Sequence, residues 1–356
     1  MLYPYVGFAL IGLSILVYVL MDGWDLGVGI LFLIAPRDIE RDQMIKSIAP
    51  FWDGNETWLV FGGVTLFAIF PQVYAQALQL LYLPVMVMLF ALVFRGISFE
   101  FRERAKKQER LWNWIFGLAS LVAGFVQGMM LGKVAQGVQS LGLADGNSVS
   151  VSLFPILSGV AMVAGYSLLG SAWLVCKTEG STQTFGREVS QAAWLFTMVT
   201  FIVVSVWAPL SISQVARRWF AWPEMGLFGV VAIGLITVAL CFWRSIWSRT
   251  GSDARLLWLA VVMTLFAFLG FGATLWPYIL PYRLSIAEGA ADTTTIQFAL
   301  VGVILTMPMV AIYQLCAYRI FRGKVPGTGQ DYDAPASAPS ISARRTHERE
   351  SALHLS

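Results

Sequence analysis

The chain has 356 residues, 57% hydrophobic and 13% charged, with a mean hydropathy of +0.69 and a formal net charge of +3. Soluble domains carry about 25% charged residues, so a soluble globular fold is excluded and an all-α integral membrane protein is expected. Three scattered cysteines, Cys176, Cys241 and Cys316, show no CxxC spacing and argue against both a zinc site and a disulfide framework.

The N-terminus lacks the basic region of a cleavable signal, and its apolar run is too long for one, so it reads as a first transmembrane helix. Apolar stretches long enough to cross a bilayer fall near 5–35, 53–75, 77–97, 111–132, 152–176, 191–211, 222–243, 256–278 and 296–320. These nine spans could group as two four-helix bundles plus one helix. The first is longer than a bilayer requires and is expected to project, tilt or break at its glycines. Ala144-Asp145-Gly146-Asn147-Ser148 reads as an external turn. Residues 1–322 form the membrane domain. The segment 323–356, rich in Pro, Ser, Ala, Gly and mixed charge, reads as a disordered tail.

Lys and Arg set the orientation. With nine spans, the odd loops hold fourteen basic residues and the even loops four, namely Lys133, Arg217, Arg218 and Arg283. The positive-inside rule then puts the N-terminus outside and the C-terminus in the cytoplasm.

Two stretches set carboxylates where lipid is expected. Met21-Asp22-Gly23-Trp24-Asp25-Leu26-Gly27-Val28-Gly29 lies inside the first span, and Trp52-Asp53-Gly54-Asn55-Glu56-Thr57-Trp58 opens the second. A carboxylate at membrane depth costs about 2.5–3.5 kcal/mol on insertion scales unless it is paired, protonated or hydrated, so such residues usually mark an ion or proton path. Asp22 and Asp25 are three apart and share a helix face, as do Asp53 and Glu56. Gly23, Gly27 and Gly29 allow another helix to approach that face closely. With Asn55 and Trp52, the acids read as a proton or cation path from the cytoplasm. Asp53 and Glu56 would also fit the polar first turn of a helix, with Asp53 near the positive end of its dipole. A third stretch, Phe94-Arg95-Gly96-Ile97-Ser98-Phe99-Glu100-Phe101-Arg102, closes the third span. Arg95 either reaches back to the carboxylates or anchors the helix in the headgroups. Trp276-Pro277-Tyr278-Ile279-Leu280-Pro281-Tyr282 fits an aromatic belt with a proline stop at the end of the eighth span.

Histidine is informative by its placement. The two histidines, His347 and His354, lie in the tail, so no span offers the usual haem ligand. Met86, Met129, Met162 and Met263 read as packing residues. On the residues alone, a proton-coupled secondary transporter also fits buried carboxylates. A transporter should carry midplane charge in both halves, whereas spans five to nine carry almost none.

The three motifs, in this order and separation, resemble subunit II of the cytochrome bd-type quinol oxidases, and the resemblance runs to about Arg322. It implies a complex that oxidises membrane quinol and reduces dioxygen to water, taking protons from the cytoplasm without pumping. The partner, subunit I, would carry two haems b and one haem d as well as the quinol-oxidation loop. Asp25 and Asp53 would belong to the proton path, lined by Asp22 and Trp52, and Trp58 would border an apolar oxygen route. Arg95, Glu100 and Arg102 would contact the partner subunit or lipid. Some members hold a structural quinone in this subunit, and small accessory membrane subunits occur. No nucleic-acid partner is implied. Trp24 replaces a commoner Phe, and Glu56-Thr57 stands where some members have Gln-Val. Pro281-Tyr282-Arg283 is similar to the cyanide-insensitive branch.

Overall fold

The computed structural model describes residues 2–137, 152–248 and 252–326. The loop at Ala144–Ser148 and nearly all of the expected tail lie outside these residues. Eleven α-helices make up almost all of the described chain: α1 (Tyr3–Phe32), α2 (Asp38–Ile48), α3 (Trp52–Ile69), α4 (Pro71–Arg104), α5 (Glu109–Gln136), α6 (Leu153–Lys177), α7 (Gly180–Ser211), α8 (Ser213–Trp219), α9 (Glu224–Trp247), α10 (Ala254–Leu275) and α11 (Thr293–Ile320). Helices dominate because lipid offers no partner for backbone polar groups, which must then bond within their own segment.

Among the described residues, eight helices are long and apolar enough to cross a membrane: α1, α4, α5, α6, α7, α9, α10 and α11. The remaining expected span, at 53–75, corresponds to α3. Its 18 residues begin with the polar turn Trp52–Thr57, and it is not among the eight. The second and third spans also divide earlier than expected, at Phe70. There the buried ring ends α3 and Pro71 starts α4 at the position where a missing N–H does no harm. The 34 residues of α4 rise about 51 Å, well beyond the hydrocarbon core, so its last turns project.

α1 is unbroken over its 30 residues, so the expected break at its glycines does not occur. The glycines serve contact instead. A Cβ on Gly27 would overlap the backbone carbonyl of Tyr166, and Gly170 of α6 returns the same close approach to Gly27. Two helices touching backbone to backbone gain dispersion contact that larger residues would prevent. A Cβ on Gly29 would likewise collide with Ser120 of α5. α1 therefore lies at the centre, against α3, α5 and α6. α4 packs on α5 and α3, while α6, α7, α9 and α10 pack among themselves. α11 lies mainly on α3 and α1.

Two elements were not foreseen. The first loop folds into α2, whose Met44, Ile45 and Ile48 bury against the core while Glu40 accepts the backbone N–H of Arg37 at 3.0 Å, closing a capping box. After α10, β1 (Tyr278–Leu280) and β2 (Leu284–Ser285) make a small antiparallel hairpin within the expected aromatic belt. At the other end of the bundle the segment 321–326 is docked rather than free. Val325 is buried, and its N–H bonds the Lys177 carbonyl at 2.7 Å. The boundary expected at 322/323 falls inside this docked segment.

Candidate functional site

The close seat of α1 against α6 fixes where the first acidic motif points. Asp22 and Asp25 are both fully buried, one helical turn apart. Arg95 of α4, 1% exposed, meets them from across the bundle. Its guanidinium donates from Nη1 to Asp22 Oδ1 at 2.7 Å and from Nη2 to Glu56 Oε2 at 2.9 Å. One planar fork thus joins a carboxylate of α1 to one of α3, a geometry a lysine could not reproduce. Glu56 is the accessible end of this line, its side chain 26% exposed.

Asp25 is held differently. Its Oδ2 accepts from Asn55 Nδ2 at 2.7 Å, and its Oδ1 has no hydrogen-bond partner among the described residues. The carbonyl oxygen of Asn55 accepts in turn from Tyr318 OH at 3.0 Å and from the Gln314 amide, both on α11. Gln314 Oε1 accepts from the indole N–H of Trp58. The two α3 motif residues Asn55 and Trp58 are therefore bridged by an amide more than 250 positions away in sequence. A further branch lies one turn before Asp22. There Gln127 Nε2 donates to Tyr18 OH, and Tyr166 OH donates to Gln127 Oε1, each at 2.7 Å.

The expected site residues divide accordingly. Asp22, Asp25, Glu56, Asn55 and Trp58 come together around Arg95. Asp53 does not join them. It lies exposed in the first turn of α3, close to the helix's positive end, and no side chain caps that terminus. Trp52 stacks on Phe99 with ring centroids 4.9 Å apart, and its ring edge fills the space above Gly96, next to Arg95. Of the three residues expected at the partner or lipid surface, Arg95 is buried inside the chain and does not face lipid. Nor is it a loop charge for orientation. Arg102 is also largely buried, bonded to Asn113 at 2.6 Å and paired with Glu109 at 3.0 Å and with Asp42. Both are drawn inward because a guanidinium near carboxylates gains more from them than from headgroups. Glu100 alone stays exposed, paired with Arg104 at 3.1 Å.

Sequence reading missed Gln314, Tyr318, Tyr18, Gln127 and Tyr166. A signal existed for the amides, since Gln127 and Gln314 are polar residues inside apolar spans. Their partners could not be guessed, because helix rotation decides which amide faces which acid.

Chemically, the cluster sets three carboxyls against one guanidinium. Fully ionised, it would hold excess negative charge in a low-dielectric interior, so it has the capacity to bind protons. Hydrogen-bonded amides and hydroxyls extend it in two directions. Among the described residues no group of three or more His, Cys, Asp and Glu side chains is arranged to hold a metal ion.

Comparison with known proteins places the chain in a family. The chain is 34% identical over 213 residues to cytochrome bd-I ubiquinol oxidase subunit 2 of Escherichia coli strain K12, a match covering 57% of this chain and 56% of that protein. It is 26% identical over 335 residues to cytochrome bd ubiquinol oxidase subunit 2 of Bacillus subtilis strain 168, covering 89% and 95%. The fold is similar to that of the bd oxidase structure from Geobacillus thermodenitrificans, with a TM-score of 0.71 over 90% of this chain and 99% of the other, at 17% identity. The family model for cytochrome bd terminal oxidase subunit II matches residues 3–321, all but the first two residues and the C-terminal segment. With its eight apolar helices, the chain is a multi-pass protein of the bacterial inner membrane and belongs to the family of cytochrome bd terminal oxidase subunit II.

Proposed function

We propose that this chain is the haem-free second subunit of a bd-type terminal oxidase, which oxidises membrane quinol and reduces dioxygen to water. Its part is to deliver cytoplasmic protons and to support assembly of a haem-bearing subunit I. The observation that carries this reading is the shared fork of Arg95 on Asp22 and Glu56, beside Asp25 held by Asn55, in a chain matched by the subunit II family over 3–321. Haems b and d on the partner would supply electron transfer and oxygen reduction, and this chain's side chains would bind and pass protons. Its only histidines are His347 and His354, so its membrane helices offer no histidine to a haem iron.

In this reading Glu56, the most accessible carboxyl of the cluster, takes up protons, and Arg95 holds the negative charge of Glu56 and Asp22 until they arrive. Asp22 and Asp25 then store them at depth. Asp53, exposed on the first turn of α3, would stand at the mouth of the path or face the partner subunit. The ring of Trp58, beside Phe61 at 6.1 Å, would border the oxygen route while its N–H stays with Gln314. The whole chain would cross the membrane nine times, counting α3, with its N-terminus outside and its C-terminus cytoplasmic. The membrane domain would extend through the docked segment to about residue 326, with the remainder as a tail. Lipid, an accessory subunit and a structural quinone are further expected companions.

The test is a reduced-minus-oxidised visible spectrum of membranes with and without the partner subunit, together with quinol-driven oxygen uptake. Haem b and d bands that appear only with the partner, and uptake that collapses in Asp25→Asn, are expected. Purified complexes without haem bands, combined with proton-dependent solute uptake in vesicles, would replace the oxidase by a secondary transporter.

A further inference from the structure

α11 supplies two members of the acid network yet has little to hold it. It packs mainly on α3 and α1, and Phe298, Leu305, Met309, Ile312 and Leu315 along it are exposed. In lipid such an apolar face gains no hydrophobic drive toward the bundle, so apolar packing alone fixes its position weakly. The polar contacts concentrate at its last turn and just beyond.

There the chain meets three other elements. Lys177, at the end of α6, donates from Nζ to the carbonyls of Phe321 at 2.5 Å and Gly323 at 3.2 Å. Thr178 and Val325 form a parallel bridge, with Val325 N–H on Lys177 O at 2.7 Å. Gln43 of α2 donates its amide to Val325 O at 2.7 Å and to Glu179 O at 3.1 Å. Lys324 pairs with Asp253 at 2.6 Å, and Asp253 also pairs with Arg187. Lys177 is largely buried, and its contacts are neutral, namely carbonyls and the faces of Phe51 and Trp173 at 5.2 and 5.6 Å. With no counter-charge among these contacts, the ammonium is held by the carbonyls and ring faces it ties together, so its removal releases the end of α11 from α6.

The same aromatic rings lead to the acids. Phe51 stacks on Tyr318 with centroids 4.3 Å apart, and Trp173 stacks on Trp24 at 4.9 Å, next to Asp25 in the chain. Tyr318 and Gln314 lie within about two turns of the α11 terminus, roughly 9 Å of rise. A shift at Phe321–Val325 therefore moves both side chains directly.

We propose that this junction is a clasp that sets the axial position of α11 and, through Gln314 and Tyr318, the orientation of Asn55 on Asp25. Lys177 and Gln43 are its positioning residues. The proposal rests on the reading of Asp25 as a proton carrier, and it adds a control on that residue from the far end of the chain.

The test uses the complex with its partner subunit, normalised to its haem spectrum. Compared are the full chain, a chain stopped after Pro326, a chain stopped after Arg322, Lys177→Met, Lys177→Arg and Asp25→Asn. Amide exchange is read in peptides covering 312–321 and 51–58, and oxygen uptake is read as a pH profile. The chain stopped after Pro326 should match the full chain. The chain stopped after Arg322 and Lys177→Met should exchange about tenfold faster in both peptides and shift the pH profile, with Lys177→Arg restoring part of each. If the Arg322 stop fails to assemble, Lys177→Met carries the same test. Unchanged exchange in these variants overturns the clasp, and faster exchange with an unmoved pH profile overturns its link to Asp25. Full activity in Asp25→Asn is the separate result that would remove the proton reading while leaving the exchange data to judge the clasp.

Discussion

The half of the molecule built from α1, α3, α4 and α5 and the half built from α6, α7, α9 and α10 are both helical and both apolar outside, yet they treat charge in opposite ways. The first buries Asp22, Asp25 and Arg95 within its helices. In the second, Lys177 and Asp253 sit at helix ends and their partner Arg187 lies in the early turns of α7, before its most apolar stretch. Charge inside a span is costly and is retained for what it does, whereas charge at an end can be kept for anchoring alone. On the proposed reading, proton handling belongs to the first half and support to the second. α11 and the docked C-terminal segment connect the two.

The sharpest way to break this contrast is to remove Arg95. Arg95→Met strips the one cation from Asp22 and Glu56 and should destabilise the complex by about 3–5 kcal/mol, seen as loss of assembled haem complex and a lower melting temperature. Arg95→Lys should recover only part, since an ammonium cannot bridge both carboxylates in one plane. If Arg95→Met assembles normally, the fork is not what holds the polar half together. Next in size, Asp25→Asn keeps the hydrogen bond to Asn55 but removes the carboxyl proposed to carry protons. It should leave assembly near normal and lower oxygen uptake by about tenfold or more, about 1.4 kcal/mol in the barrier. Glu56→Gln should have a smaller effect, concentrated at high pH where proton supply limits the rate.

Away from the Lys177 junction, the supporting half should respond through stability alone. Burial pushes the Asp253 carboxyl up, but its hydrogen bond and charge contact with Lys324, and the charge of Arg187, outweigh this and hold it below the usual carboxylate value. A lowered folded value means stabilisation that is complete above about pH 4, the unfolded carboxylate range, and is lost as pH falls below it. Partial exposure screens the pair, so Asp253→Asn should cost at most about 1 kcal/mol near neutrality and flatten the acid limb of a stability-versus-pH curve. Smallest of all, Glu100→Gln removes an exposed pair with Arg104 and should change stability by about 0.5 kcal/mol or less, leaving the melting midpoint essentially unmoved. A large effect there would mean that the exposed end of α4 meets a partner.

The residues differ in how readily the sequence betrays them. Asp22, Asp25 and Glu56 stood out because a carboxylate in an apolar run is improbable by itself, and periodicity put each pair on one helix face. Eight of the nine expected spans were likewise legible from length and hydropathy; α3 is not among the candidate spans, and its division from α4 at Phe70 was missed because no polar loop separates them. α2 escaped notice because its apolar face covers only Met44, Ile45 and Ile48. Asp53 looked equal to Glu56 on the page, yet one is exposed and the other reaches Arg95.

The amino-acid sequence by itself determined the membrane class, the apolar spans, the motifs of the subunit II family and the presence of acids that lipid would not tolerate unpaired. These are properties of composition and spacing, which need no partner segment to be read. Only the tertiary structure decided that Arg95 turns inward, that Gln314 and Tyr318 complete the Asn55 network, and that the segment 321–326 is docked on Lys177. The physical reason is that each depends on the rotation and axial shift of one helix against another. Backbone contact at Gly27 and Gly170 sets those parameters for α1 and α6, and no local pattern along either helix encodes them.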